Sequence, residues 1–442
     1  MPLDPAIDAV RDAALWFEDG REGVQPIVEA IGDARIVLIG EASHGTHEFY
    51  RIRADITEAL IRDRGFNVVA VEADWPDAYR ANRWVRHLSG DVDAAEGLAD
   101  FTRFPRWMWR NDVVVDFLTW LRQHNARKPS GEQAGFYGLD LYSLHTSIEA
   151  VLQYLAKVDP EGARRARERY ACFEHFNHDS QAYGYAATLG LSRSCEDDVV
   201  AQLLEIRKRA AEYASRDGRI AEDEYFFAEQ NARLVRNAEE YYRAMFGGRV
   251  QSWNLRDTHM METLEALIRW TGRQSGPVRA VVWAHNSHLG DARATQMGEW
   301  GELNLGELVR RRFGDEACLV GFTTHTGTVT AARDWDGPPE HRRVRPSLPD
   351  SYERLFHHAG LDRFFLQLRN EPVRAALMPA RLERAIGVIY APETERASHY
   401  FRATLPEQFD LMIHVDETRA LTPLERWARH EADMPETYPT GV

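Results

Sequence analysis

The sequence predicts an α/β fold: a central, largely parallel β-sheet flanked by helices, with a helical insertion or second helical domain. Three observations lead there. At least seven short apolar runs each give way to a conspicuously polar loop, the pattern of buried strands that feed functional loops. Between residues 148 and 270 those runs stop, and helical patterns rich in Ala, Glu and Arg replace them. At 442 residues the chain exceeds what one hydrophobic core usually serves. The expected division is an α/β domain built from residues 1–147 and 275–442, with 148–274 as a helical insertion or lid.

Taken in order, Ile7, Val10, Leu15 and Trp16 mark a short amphipathic helix near the N-terminus. Arg35–Ile39 (R-I-V-L-I) is the first strand, and the loop after it carries Glu41, His44 and His47. Gly40 and Gly45 let that loop turn and lie close to its neighbours. Phe49, Ile52, Ile56, Leu60 and Ile61 then recur at helical spacing, up to a stop near Gly65. Phe66–Val71 is the second strand and ends on Glu72. Residues 74–88 and 113–124 read as helices, and the aromatic stretch between them could wall a pocket. Ala134–Leu139 is the third strand, ending on Asp140. Helices are expected near 146–157, 161–173, 195–214, 221–245 and 252–270. Strands resume with Val278–Trp283, which puts His285 and His288 at its tip. Ala317–Phe322 follows, with His325 just beyond it and Thr328–Ala332 as an edge strand or hairpin partner. Ala385–Tyr390 and Phe409–Val415 complete the set.

Composition narrows the function classes. The formal charge is -15 and the arginines are scattered, which argues against nucleic acid as a partner. No stretch approaches the length of a membrane span, and the N-terminal residues lack the pattern of a signal peptide. Cys172, Cys195 and Cys318 are few, odd in number and widely spaced. They suggest neither a disulfide scaffold nor a structural zinc site, and a reducing cytoplasm is the expected compartment. No obligate protein partner is implied.

In α/β folds ligands bind outside the carboxyl ends of the strands. Glu41, His44, Arg53, Glu72, His285 and His288 all sit at or just beyond such ends and are the candidate catalytic group. His47, Trp75, Asp140 and His325 stand nearby in the same pattern and are candidates for contacting the substrate. No serine occupies a G-x-S-x-G elbow, and no cysteine has a nucleophile's context. The histidines are therefore read as acting on water: a neutral imidazole takes a proton, a carboxylate fixes its tautomer, and a cation steadies the oxyanion. That chemistry needs no cofactor and no metal. The alternative is a metal-dependent hydrolase with zinc or manganese on the same His and Glu residues. H-N-S-H has ligand-like spacing, H-E-x-x-H is absent, and Arg53 would repel a cation at short range. A small-molecule-binding protein without turnover is the non-enzymatic reading.

Several blocks carry a family resemblance: V-L-I-G-E-A-S-H-G-T-H-E-F-Y, V-V-A-V-E-A-D-W-P, V-V-W-A-H-N-S-H-L-G-D, G-F-T-T-H-T-G-T-V-T-A-A, I-Y-A-P-E-T-E-R-A-S-H-Y-F and F-D-L-M-I-H-V-D-E-T-R-A. Together they run from about residue 35 to 422, and in them the chain resembles the erythromycin esterase family. The resemblance implies a hydrolase that opens a macrolide lactone, a reaction of antibiotic resistance, by attack of water without a serine nucleophile. It implies His44 as the base, with Glu41, Arg53, Glu72, His285 and His288 in the matching positions. The implied substrate is a small organic ester or lactone, macrolides included. The first loop, E-A-S-H-G-T-H, departs from that of the family's resistance enzymes and looks more like bacterial homologues with unassigned substrates.

Overall fold

The computed structural model describes residues 5–176, 179–214, 219–246 and 248–425. Ten strands are found among them: β1 (Ile36–Ile39), β2 (Val68–Asp74), β3 (Gly135–Asp140), β4 (Ala280–Trp283), β5 (Ala317–Ala331), β6 (Glu340–Val344), β7 (Arg363–Gln367), β8 (Arg381–Arg384), β9 (Tyr400–Ala403) and β10 (Leu411–Thr418). The main sheet runs in the order β3-β2-β4-β1-β5-β10-β7, with β6 paired to β5. Its pairings from β3 to β10 are parallel; β7 and β6 join antiparallel. β8 and β9 form a separate antiparallel ribbon.

The central strands are apolar along their whole length because both faces are covered. Ile36, Leu38, Val68, Ala70, Ala280 and Val282 point into one core, and Val37, Ile39, Val69, Val71, Val281 and Trp283 into the other. The second core is closed by the helices Gln25–Ile31, His47–Arg64 and Asp112–Asn125. The first is closed largely by the helical insertion between β3 and β4, whose long members are Leu144–Val158, Glu196–Lys208, Arg219–Ala244 and Arg249–Ser275. Helix His47–Arg64 stops where Gly65 adopts φ 70°, with Arg62 and Arg64 in its last turn. Among the described residues no helix is long and apolar enough to cross a membrane. Residues 426–442 of the expected α/β division lie outside the described residues.

Four expectations need correction. Ala385–Tyr390 is not a strand. Its backbone only bridges, pairing Ile386 with Ser43 and Ile389 with Ala332, while Ile386 and Tyr390 fill a small side cluster with Val329, Ala331 and Val344. The strand lies just before it, at β8. Of the two readings of Thr328–Ala332 the hairpin partner holds and the separate edge strand does not: all but its last residue belong to the far end of β5, which pairs antiparallel with β6. His325 therefore sits within a strand rather than on a loop. Finally, Cys172 and Cys195 are disulfide-bonded, because the ends of two packed helical segments bring their Cα atoms to 6.0 Å. Cys318 is free and buried in β5. The cysteine argument for a reducing compartment falls with that bond.

The loop after β1 is held tightly. The Gly45 carbonyl accepts from the N–H groups of Thr330 and Leu421, each at 2.9 Å. A Cβ at Gly45 would overlap the Thr330 backbone carbonyl. Gly45→Ala is expected to lower the stability by about 1–3 kcal/mol through overpacking, read as an earlier urea midpoint at unchanged slope. An unchanged midpoint would contradict this packing.

Candidate active site

Strand order explains why distant residues meet. β4 lies between β1 and β2, and Trp283 is in register with both Ile39 and Val71. β1 and β4 end at this level and Glu72 follows Val71 within β2, which brings Glu41, Glu72 and His285 side by side. Above them is a cavity of about 500 Å³ whose wall includes His44, Glu72, Asp140, His285 and His288.

His44 donates from Nδ1 to Glu41 Oε1 at 2.8 Å. The other Glu41 oxygen is ion-paired with Arg53 Nη1 at 3.0 Å. Arg53 is fully buried, its guanidinium 4.5 Å from the Tyr50 ring and 4.8 Å from that of Trp283. A carboxylate fixed on one side by a buried cation holds the imidazole in the Nδ1–H tautomer. Nε2 is then the basic nitrogen.

The His285 ring lies 4.9 Å from that of His44. The His285 backbone N–H donates to Glu72 Oε2 at 2.8 Å. Nδ1 accepts from the Ser287 N–H at 3.2 Å, so the ring proton resides on Nε2. That Nε2 is buried and makes only a loose bond to the Ala42 backbone. Burial, then the neighbouring His44, push the His285 pKa down to about 3, which keeps the ring neutral. The His285 ring thus stands neutral beside His44 on the cavity wall.

His288 bonds through Nδ1 to both oxygens of the buried Asp257, at 2.9 and 3.0 Å, and stacks on Trp253 at 4.4 Å. Its Nε2 lies 3.0 Å from Arg256 Nη1 and 3.4 Å from Glu72 Oε1. A neutral ring can accept from Arg256, and a protonated one can donate to Glu72. Burial pulls its pKa down, but Asp257 and Glu72 outweigh that and raise it to about 9. Arg256 also donates to Glu72 Oε1 at 2.7 Å and to both oxygens of Asp140, at 3.0 and 2.6 Å. Burial alone would push Glu72 up; His288 and Arg256 hold it well below the usual carboxylate range.

Residues 61–418 match the family described as erythromycin esterase. The chain belongs to the erythromycin esterase family. It is 21% identical over 416 residues to erythromycin esterase type II of Escherichia coli, covering 91% of this chain and 94% of that one. A solved succinoglycan biosynthesis protein superposes with a TM-score of 0.77 at 19% identity, covering 95% of this chain and 98% of that one. An erythromycin esterase mutant in its open conformation gives 0.63 at 15% identity, covering 90% and 94%. At these identities the solved structures speak for a shared fold.

Against this erythromycin esterase fold, the residues singled out from sequence divide clearly. His44, Glu72, Asp140, His285 and His288 line the cavity, and Glu41 backs His44. Arg53 does not line it: buried behind Glu41, it meets the site only through that carboxylate. His47 is not on the wall either; it opens the first turn of helix His47–Arg64, with its N–H on the Arg419 carbonyl. Trp75 is core, stacked on Tyr137 with its indole N–H toward the Phe227 carbonyl. His325 packs against His357 at 3.7 Å and bonds Ser347 Oγ at 2.6 Å, away from the cavity. Sequence reasoning missed Arg256, Asp257 and Trp253, all contributed by helix Arg249–Ser275. Among the described residues no group of three or more His, Cys, Asp or Glu side chains is arranged to hold a metal ion.

Proposed function

We propose that this chain is an esterase-type hydrolase that opens a lactone or cleaves a carboxylic ester by attack of water. The observation that carries this reading is the carboxylate-held His44 beside the neutral ring of His285 on one cavity wall. His44 Nε2 takes a proton from water as the oxygen attacks the carbonyl carbon. His285 Nε2–H donates to the oxyanion as it forms. Protonated His288 supplies the proton for the departing alkoxide, and Arg256 keeps the surrounding carboxylates ionised and fixed. Erythromycin esterases among the relatives make macrolide lactones the first substrates to try. The direct test is a mass-spectrometric screen over macrolides, other lactones and simple esters. Gain of one water by any of them supports the reading; no gain by all of them sinks it.

Two variants probe the assignment. Ser287 Oγ lies 2.9 Å from His285 Nδ1, but the Nε2 of that ring has no carboxylate behind it, unlike the base of a serine nucleophile. Ser287→Ala is expected to keep kcat within about threefold, since no acyl-serine forms; a loss of several orders of magnitude would make Ser287 the nucleophile. Asp257 acts through His288. Rates should fall as pH rises through about 9, where His288 loses its proton. In Asp257→Asn this alkaline limb of kcat/KM is expected about 1–3 pH units lower, because the carboxylate that raises the imidazole pKa is gone. A limb that stays in place would remove His288 from the acid role.

A further inference from the structure

One face of a single helix encloses His288. Trp253, Arg256 and Asp257 of helix Arg249–Ser275 stand at i, i+3 and i+4, the spacing that puts side chains on one face. Asp257 and Arg256 meet the two nitrogens at the edge of the imidazole. Trp253 covers its face: the two rings lie 4.4 Å apart and within 6° of parallel. Trp253 and His288 both belong to the cavity wall. The charged and titratable groups around the imidazole are Asp257 and Arg256 from this helix, Glu72 from β2, Glu302 from the segment beyond helix Gln296–Glu299, and His285 from its own loop.

The partners at the ring edge do not depend on the indole. The Leu305 N–H donates to Asp257 Oδ1 at 2.8 Å, and Arg256 is gripped by Asp140 and Glu72. What the indole adds is a π face, whose negative potential attracts a cation and is nearly indifferent to a neutral ring. His288 is only 2% exposed, so little water competes for its charge. Arg256 opposes that charge; the indole face favours it.

We propose that Trp253 is a positioning residue: it holds the His288 ring flat and selectively stabilises its protonated form, so that the proton for the leaving alkoxide is in place before water attacks. That proton passes from His288 Nε2 to the alkoxide oxygen, leaving a neutral imidazole and an alcohol. The catalytic meaning of the contact rests on the hydrolase reading; its effect on the titration of the ring does not.

Nuclear magnetic resonance on the full chain with labelled histidine, using His288→Gln to identify the signal, follows the titration directly. Trp253→Leu is expected to lower the His288 midpoint by about one pH unit, the size of a desolvated cation–π contact. Trp253→Phe should lower it by less, because a phenyl ring keeps a weaker face. In kinetics, the ratio of kcat/KM at pH 9 to that at pH 7 should fall about fivefold in Trp253→Leu, since the wild-type group titrates at about 9. Any contact between indole and substrate enters both rates and cancels. An unchanged midpoint in Trp253→Leu, or an equal fall in the two variants, would overturn the proposal. If Trp253→Leu does not fold, an unchanged midpoint in Trp253→Phe overturns it. The hydrolase reading fails by a separate route, through an absence of any water-addition product, with the shift in midpoint intact.

Discussion

His44→Ala is expected to leave the fold intact and to lower kcat by about 10³–10⁴-fold, near the upper range for loss of a general base. The reason is geometric. His44 is fixed through Nδ1 by Glu41, which is fixed in turn by the fully buried Arg53, so Nε2 is held in one orientation on the cavity wall. Preorganisation of this kind makes the base effective, and alanine removes it altogether. The fold should survive because the backbone of the loop is held independently: the His44 N–H on the Ile386 carbonyl, the Gly45 carbonyl on Thr330 and Leu421, and the Asn286 N–H on the Glu41 carbonyl. Circular dichroism and single-turnover rates, measured on one preparation, decide the matter. A folded His44→Ala protein with wild-type rates would end the assignment of His44 as base. A protein that fails to fold would show that the loop depends on the side chain, contrary to the backbone bonding.

The fold and the site differ in how far they can be read from residues alone. β1, β2 and β4 are legible because two covered faces demand uninterrupted apolar runs. Glu41, Glu72 and His285 are legible because they interrupt those runs. β6 is not: as an antiparallel partner at the far end of β5 it reads E-H-R-R-V, and pairing with β5, not burial, makes it a strand. Ala385–Tyr390 misleads in the opposite direction, since its apolar side chains serve a small cluster without any ladder. Arg53 illustrates a signal that was present. It shares helical spacing with Phe49, Ile56 and Leu60, which puts it on the buried face and not in the cavity. Arg256 and Asp257 had no such mark. They lie in a long helix among many other charges, and only the return of that helix beneath the strand ends gives them a role.

Arg256→Met is expected to destabilise the protein by about 3–5 kcal/mol at neutral pH, the usual result of removing one partner from a buried ionic group. Arg256, itself 13% exposed, is the shared cation of Glu72 and Asp140, and both carboxylates are buried. Methionine fills much of the volume but leaves Asp140 without its counter-ion and Glu72 with His288 alone. The pH dependence gives the effect a signature. The folded pKa of Glu72 is lowered, so its stabilising contribution is present above the ordinary value of about 4.3 and is lost as pH falls through the folded value. His288 runs the other way: with a folded value of about 9, its contribution is complete below its ordinary value and is lost as pH rises through 9. In Arg256→Met the two carboxylates titrate higher, and protonating them relieves the unpaired charge. The deficit relative to wild type should therefore shrink as the pH is lowered from 7 toward 4. Arg256→Lys, which restores charge without the forked donors, should recover part of the stability and less of the rate. Urea unfolding of the three proteins at several pH values measures this. Equal stability of wild type and Arg256→Met at pH 7, or a deficit that grows on acidification, would mean that Arg256 is not the cation on which this cluster depends.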